Sequence, residues 1–268
     1  MCRRSAEGLG AATPWLGLVL TIVLPITEAS AADAWLKLRR QGVPALLAAS
    51  QVAAVPEPWR ATWRLPDADA GALKGLHISV RRSLTKSSKG KPAELATVIR
   101  FTGVKSLTGA GVATVGADVW LRGPGEKKAH PAKGEALFAA LPGLDLPLGL
   151  FAAVGLAARY EGQLAGEFGG SAIVVFKPRY TDGKGWQRLK LGISKRYLVP
   201  TMAEFNDDHG KPQGRWLWLD TRMVQGLMVA DKLRLRTMSR TAPFELLLVG
   251  VERGKAVAGL PVGEAALR

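Results

Sequence analysis

Leu95-Ala96-Thr97-Val98-Ile99-Arg100-Phe101 decides how this 268-residue chain is read: Leu95, Thr97, Ile99 and Phe101 alternate with Ala96, Val98 and Arg100. A period of two places successive side chains on opposite faces of an extended strand, so the segment predicts a strand with one buried face. The same period spreads outward. Upstream, Leu76, Ile78 and Val80 alternate with His77, Ser79 and Arg81. Downstream, Val115, Ala117, Val119 and Leu121 alternate with Gly116, Asp118, Trp120 and Arg122. A continuous apolar run fills 171–177, and Leu189, Leu191 and Ile193 alternate with Arg188, Lys190 and Ser194. Further strands are predicted over 197–205, 215–220, 232–240 and 244–252, separated by turn-forming clusters at 182–185, 206–210 and 239–243. One-sided alternation of this kind belongs to antiparallel sheet.

Helical signals are fewer. Asp33 is placed to cap a helix over 34–41 closed by Gly42, and Pro44 opens another that reaches Gln51. The proline-bearing stretch 53–66 reads as a connector. The apolar stretch 137–160 is interrupted by Pro142, Asp145, Pro147 and several glycines. It therefore reads as two short helices, 134–141 and 147–159, rather than a membrane span of roughly twenty residues. Strands, helices, then strands again predict a mainly β (α+β) chain, an antiparallel sheet covered on one face. Several late strands are apolar on both sides. Phe244, Leu246 and Leu248 point one way and Leu247, Val249 and Val251 the other, while Trp216 and Trp218 lie opposite Leu217 and Leu219. The second apolar side calls for further cover or a ligand, a first sign of a cavity.

Arg3 and Arg4, a mostly apolar run from Trp15 to Ile26, and Ala29-Ser30-Ala31 together predict a secretory signal peptide over 1–31. The mature chain, 32–268, is then a single periplasmic domain, with 32–66 as N-terminal helices and connector and 134–160 as a helical lid. Cys2 precedes the apolar run rather than following it, so a lipobox is absent and the product is expected to be soluble.

Lys and Arg number 37 against 22 Asp and Glu, a formal charge of +15. That excess reads first as a solvated outer face carrying Arg81, Arg100, Arg188, Lys190, Arg234 and Arg236. Attraction to an anionic membrane surface or an acidic partner is the second reading. Nucleic acid, which would need aromatic stacking interleaved with the basic residues, is not expected, because export removes the chain from most of it. One cysteine and three histidines predict no metal cluster. There is no His-Glu-x-x-His, no Gly-x-Ser-x-Gly and no Walker loop. Gly109-Ala110-Gly111-Val112-Ala113-Thr114 lacks the last glycine of a dinucleotide loop and leads into a strand, so it reads as a flexible turn. Asn206-Asp207-Asp208 reads as a hairpin turn rather than a calcium loop. No catalytic residue and no cofactor is predicted.

Five motifs occur in a set order. Gly116-Ala117-Asp118-Val119-Trp120-Leu121-Arg122-Gly123-Pro124-Gly125 is a strand running into a proline turn. Gly170-Ser171-Ala172-Ile173-Val174-Val175-Phe176-Lys177-Pro178 follows. Then come Trp186-Gln187-Arg188-Leu189-Lys190-Leu191, Val199-Pro200-Thr201-Met202-Ala203-Glu204-Phe205 and Asp208-His209-Gly210-Lys211 ahead of Arg215-Trp216. In that order, 107–252 resembles the LolA-like outer-membrane lipoprotein-sorting proteins. The resemblance implies an incomplete antiparallel β-barrel, a half-barrel, with short helices covering its concave face. It also implies an apolar cavity and a periplasmic carrier or chaperone for the acyl chains of lipoproteins or lipids, without covalent chemistry. Trp120, Phe138, Leu141, Leu148, Phe151, Val154, Trp216, Trp218 and Phe244 are the candidate cavity residues. The partners implied are lipoprotein or lipid acyl chains and an inner-membrane exporter, with the protein itself expected to be a monomer. A sensor or adaptor of the same fold, binding a membrane protein or exporter without transferring lipid, is the alternative.

Leu148, Phe151 and Val154 recur at helical spacing along 147–159, while Leu150, Ala153 and Leu156 make the other side apolar too. Read as a lid, this helix puts Phe151 against cargo. Phe151→Glu is expected to keep the wild-type melting temperature while lipid extracted from the purified protein falls several-fold. Unfolding would place Phe151 in ordinary core.

Overall fold

The computed structural model describes residues 28–53, 55, 57–67, 71–85, 94–116, 118–132, 160–178, 188–207, 209–237 and 242–268. The predicted helices 134–141 and 147–159, with Phe138, Leu141, Leu148, Phe151 and Val154, lie outside the described residues, as does the predicted turn at 182–185.

Two helices open the described chain, α1 (Glu28–Gln41) and α2 (Val43–Ala53). They join at Gly42, whose φ of +87° is open to glycine at little cost and whose amide closes α1 on the Leu38 carbonyl at 3.1 Å. Because α1 begins at Glu28, Asp33 lies inside the helix and not at its cap, and the expected cleavage point after Ala31 falls within it. Among the described residues no helix is long and apolar enough to cross a membrane.

Thirteen strands follow: β1 (Trp59–Arg64), β2 (His77–Leu84), β3 (Leu95–Thr102), β4 (Gly111–Val115), β5 (Asp118–Arg122), β6 (His130–Pro131), β7 (Tyr160–Phe168), β8 (Ser171–Pro178), β9 (Arg188–Ser194), β10 (Pro200–Asn206), β11 (Pro212–Val224), β12 (Leu227–Thr237) and β13 (Phe244–Arg253). They form one antiparallel sheet in the order β6-β5-β4-β3-β2-β1-β13-β12-β11-β10-β9-β8-β7, not closed into a barrel. Two meanders thus meet where β1 pairs with β13. The architecture is the mainly β half-barrel expected of the chain.

The period-two reading places the core. Ile78 and Val80 on β2, Ile99 and Phe101 on β3, Leu233 and Leu235 on β12 and Leu246 on β13 share one buried cluster with Trp35 of α1 and Leu46 of α2. The helices therefore cover the concave face. At Gly162 on β7 a Cβ would come within 2.7 Å of Val43 Cγ1 and 2.6 Å of Phe176, so the missing side chain is what lets α2 approach the sheet.

Several expectations are corrected. The stretch 53–66 is not all connector: Trp59, Ala61 and Trp63 face inward and alternate with Arg60, Thr62 and Arg64, making β1 a central strand. The strand expected through Val115 to Arg122 is a hairpin, because Gly116 turns with φ +54° and Val115 pairs with Asp118. The supposed loop Gly109–Thr114 contributes only its first residues to a turn, and Gly111 onward is β4. On β13 a bulge opposite Thr62/Trp63 leaves Val249 outside at 55% exposure and rotates Val251 onto the core, while Leu247 is 42% exposed.

The outer face is less free than its charges suggest. Arg81 is buried beneath the C-terminal segment, where the Arg81, Arg100 and Arg122 guanidinium groups donate to the carbonyls of Pro261, Ala266 and Leu267. Lys190 and Arg215 both donate to Glu204, Lys190 at 2.8 Å. Arg234 donates to Glu245 at 2.6 Å.

Glu204 is buried. Burial alone would raise its pKa, but the hydrogen bonds from Lys190 and Arg215 and their charges outweigh it and hold the carboxyl below the usual range. A depressed carboxylate pKa stabilises the fold at pH values above the ordinary carboxylate pKa, and that contribution is lost as pH falls through the native value. Glu204→Gln is expected to cost about 2 kcal/mol at pH 7. In urea titrations the gap from wild type should close below about pH 4; a gap unchanged by pH would contradict this role.

Candidate ligand cavity

β11 and β12 pair as one long hairpin from Gly214↔Thr237 to Val224↔Leu227, but β12 pairs with β13 only over Lys232–Leu235. The far half of the hairpin therefore extends past its neighbour. Asp220, in the left-handed region at φ +51°, marks the bend, where the pairing skips from Leu219↔Lys232 to Thr221↔Ala230; Lys232 holds Asp220 at 3.0 Å and Arg222 holds Asp231 at 2.6 Å. Beyond the bend the arm leans across the concave face. Trp63 Nε1–H, buried on β1, donates to the Ala230 carbonyl at 2.8 Å. Leu227 and Val229 enter the main core, and Met228 packs with Leu95, Val199 and Val55.

A narrow cavity lies beneath this arm, with about 430 Å³ of empty space counting the part open to solvent. Trp59, Trp63, Val80 and Arg82 form one wall, on β1 and β2. Trp218, Met228 and Val229 form the facing wall on the hairpin arm, and Val199 and Pro200 lie where β10 begins. Thr221 and Arg82 bring polar groups to walls whose other side chains are apolar, and Arg82 is the charged one.

The alternation Ile78, Val80, Arg82 carries that arginine onto the apolar face, while Arg81 points outward. Arg82 is 7% exposed, its guanidinium lies over the Trp59 ring at 5.7 Å, and its Nε is buried with no hydrogen-bond partner. Burial alone pulls its pKa down to about 10, with no carboxylate among the described residues acting against that. A cation over an aromatic face recovers about 1–2 kcal/mol, against several kcal/mol to desolvate an unpaired charge. Arg253, on the other side of Trp59, is instead paired with Glu57.

Of the residues singled out from sequence, Trp218 lies on the cavity wall, stacked on Trp216 at 4.7 Å and 14°. Trp216 and Phe244 are buried in the main core behind it. Trp120 lies on the other side of the sheet, packed with Val98, Ala113, Ala266 and Leu267, because the β4–β5 turn sets Val119 and Leu121 inward. Trp59, Trp63 and Arg82 were missed. Their signals were the alternation within Trp59-Arg60-Ala61-Thr62-Trp63-Arg64 and the continuation of the apolar parity from Val80 to Arg82. Among the described residues no three His, Cys, Asp or Glu side chains group to hold a metal ion.

No protein-family model matches the chain, and no curated protein matches it. Solved structures do. A DUF1329 family protein from Desulfovibrio piger superposes at TM-score 0.59 with 14% identity, over 90% of this chain and 99% of its own. An outer membrane lipoprotein-sorting protein domain from Vibrio parahaemolyticus superposes at TM-score 0.56 with 12% identity, over 82% of this chain and 95% of its own. The chain shares the fold of these two structures, an open half-barrel. A LolA superfamily protein from Nitrosomonas europaea aligns at 14% identity over 79% of this half-barrel, with a TM-score of 0.49.

Trp63→Phe removes the donor to Ala230 and leaves a buried carbonyl unsatisfied beside a smaller ring. It is expected to lower stability by about 2–3 kcal/mol. Tryptic cleavage at Arg222 near the arm's tip should also speed up. Unchanged cleavage with a full loss of stability would show that Trp63 supports only the core.

Proposed function

We propose that the protein is an exported carrier or chaperone that holds acyl chains in the cavity between the half-barrel and the β11–β12 arm, moving lipid or lipoprotein across the periplasm without covalent chemistry. The observation that carries this reading is the apolar cavity walled by Trp59, Trp63, Trp218 and Met228 on the concave face of this fold. Each methylene taken from water into such a site contributes about 0.8 kcal/mol, so a chain of a dozen carbons can be retained without any catalytic group. In the proposal, residues 32–268 form one mature domain and the helix over 147–159, with Phe151, covers the chain. Export to the periplasm follows the signal-like N-terminus and the role named for the Vibrio domain.

The test is to purify the exported protein from cells, extract it with organic solvent and analyse the extract by mass spectrometry. Acyl lipid near one equivalent per chain is the expected result. A lipid-free protein that co-purifies with one stoichiometric membrane-protein partner would overturn the carrier and favour an adaptor of the same fold. N-terminal sequencing of the same sample should begin at Ala32.

A further inference from the structure

Arg82 is a cation that the fold buries and leaves unmatched. Its Nε is sealed from solvent without an acceptor, and no described carboxylate approaches it. The neighbouring Arg253 also has a buried Nε without a partner, but its Nη2 is paired with Glu57, so in the register row Arg253, Trp59, Arg82 across β13, β1 and β2 it is Arg82 that meets no carboxylate among the described residues. That row continues as Arg82↔Thr97 and Thr97↔Thr114, placing one buried threonine on the strand next to Arg82 and a second one strand further on. A planar fork with a free donor, a hydroxyl-bearing neighbour and indole walls suits one ligand chemistry: an anionic oxygen group joined to an apolar chain.

We propose that Arg82 anchors the anionic headgroup, carboxylate or phosphate, of a single-chain amphiphile whose chain runs along Trp59, Trp63 and Trp218. This rests on the carrier reading above and names its cargo. An acyl chain in ester or amide linkage carries no charge and leaves the guanidinium unmatched; a free fatty acid or an alkyl phosphate completes it.

The test uses the full-length mature protein, delipidated, and four probes: laurate, methyl laurate, dodecyl phosphate and inorganic phosphate, titrated by calorimetry. Laurate and dodecyl phosphate are expected to bind at least about tenfold more tightly than methyl laurate. Arg82→Met should abolish that preference and leave methyl laurate affinity within about twofold of wild type. Thr97→Val should reduce laurate affinity by a smaller factor. Equal affinity of the wild type for laurate and methyl laurate overturns the headgroup site while leaving the carrier intact, and needs no variant to fold. Failure of all three chain-bearing probes overturns the carrier reading as well. Arg82-dependent binding of inorganic phosphate without binding of dodecyl phosphate would reassign the site to a free anion and overturn the proposal.

Discussion

The buried hydrogen bond from Trp63 to the Ala230 carbonyl joins the two halves of the molecule. Trp63 stands on the central strand, where the first meander meets the last strand of the chain, and Ala230 stands on the arm that overhangs the concave face. Without that contact the arm beyond Asp220 has no partner strand on its β13 side. With it, Val229 and Leu227 drop into the core, Met228 reaches Leu95 across the sheet, and a cavity is left between indoles rather than filled. An open sheet of thirteen strands needs something to cover its inner face; α1 and α2 cover one part and the arm another.

Most of the sheet was legible because alternation over five or more residues admits few other readings. β2, β3 and β9 fall where their apolar residues repeat every second position, and β8 and β13 where the run is apolar on both sides. What escaped reading did so for local reasons. β1 is short and hemmed by Pro56, Pro58 and Pro66, so its Trp-Ala-Trp face looked like a connector. β4 and β5 were fused because Val115 and Val119 keep parity through a turn that only the backbone at Gly116 reveals. The alternation already set Trp120 opposite Val119 and Leu121, and there it packs with Val98, Ala113, Ala266 and Leu267 rather than on the cavity wall. Trp218, by contrast, shares parity with the buried Trp216 and lies on the cavity wall.

The charges divide by the face they occupy. Outside, the excess of Lys and Arg is partly spoken for: Glu204, Glu245 and Glu252 each accept from a basic residue on an adjacent strand, and the arginines of β2, β3 and β5 hold the C-terminal carbonyls. Inside, Arg82 breaks the binary pattern that every neighbour obeys. Natural sequences tend to break such local rules where function requires it. The Arg81-Arg82 pair shows how little the residue type says by itself: one guanidinium ties down a tail, the next faces the cavity.

The central claim is that an acyl chain occupies the space between β1–β2 and the β11–β12 arm. Titration of the delipidated protein with a fatty acid brominated at mid-chain tests it most directly, because bromine quenches only indoles it approaches. The account predicts saturable quenching at one equivalent, reduced to what Trp63 alone gives in a Trp59→Phe/Trp218→Phe double variant that still binds the unbrominated acid. Binding with full affinity and quenching undiminished in that variant would place the chain elsewhere and contradict the account.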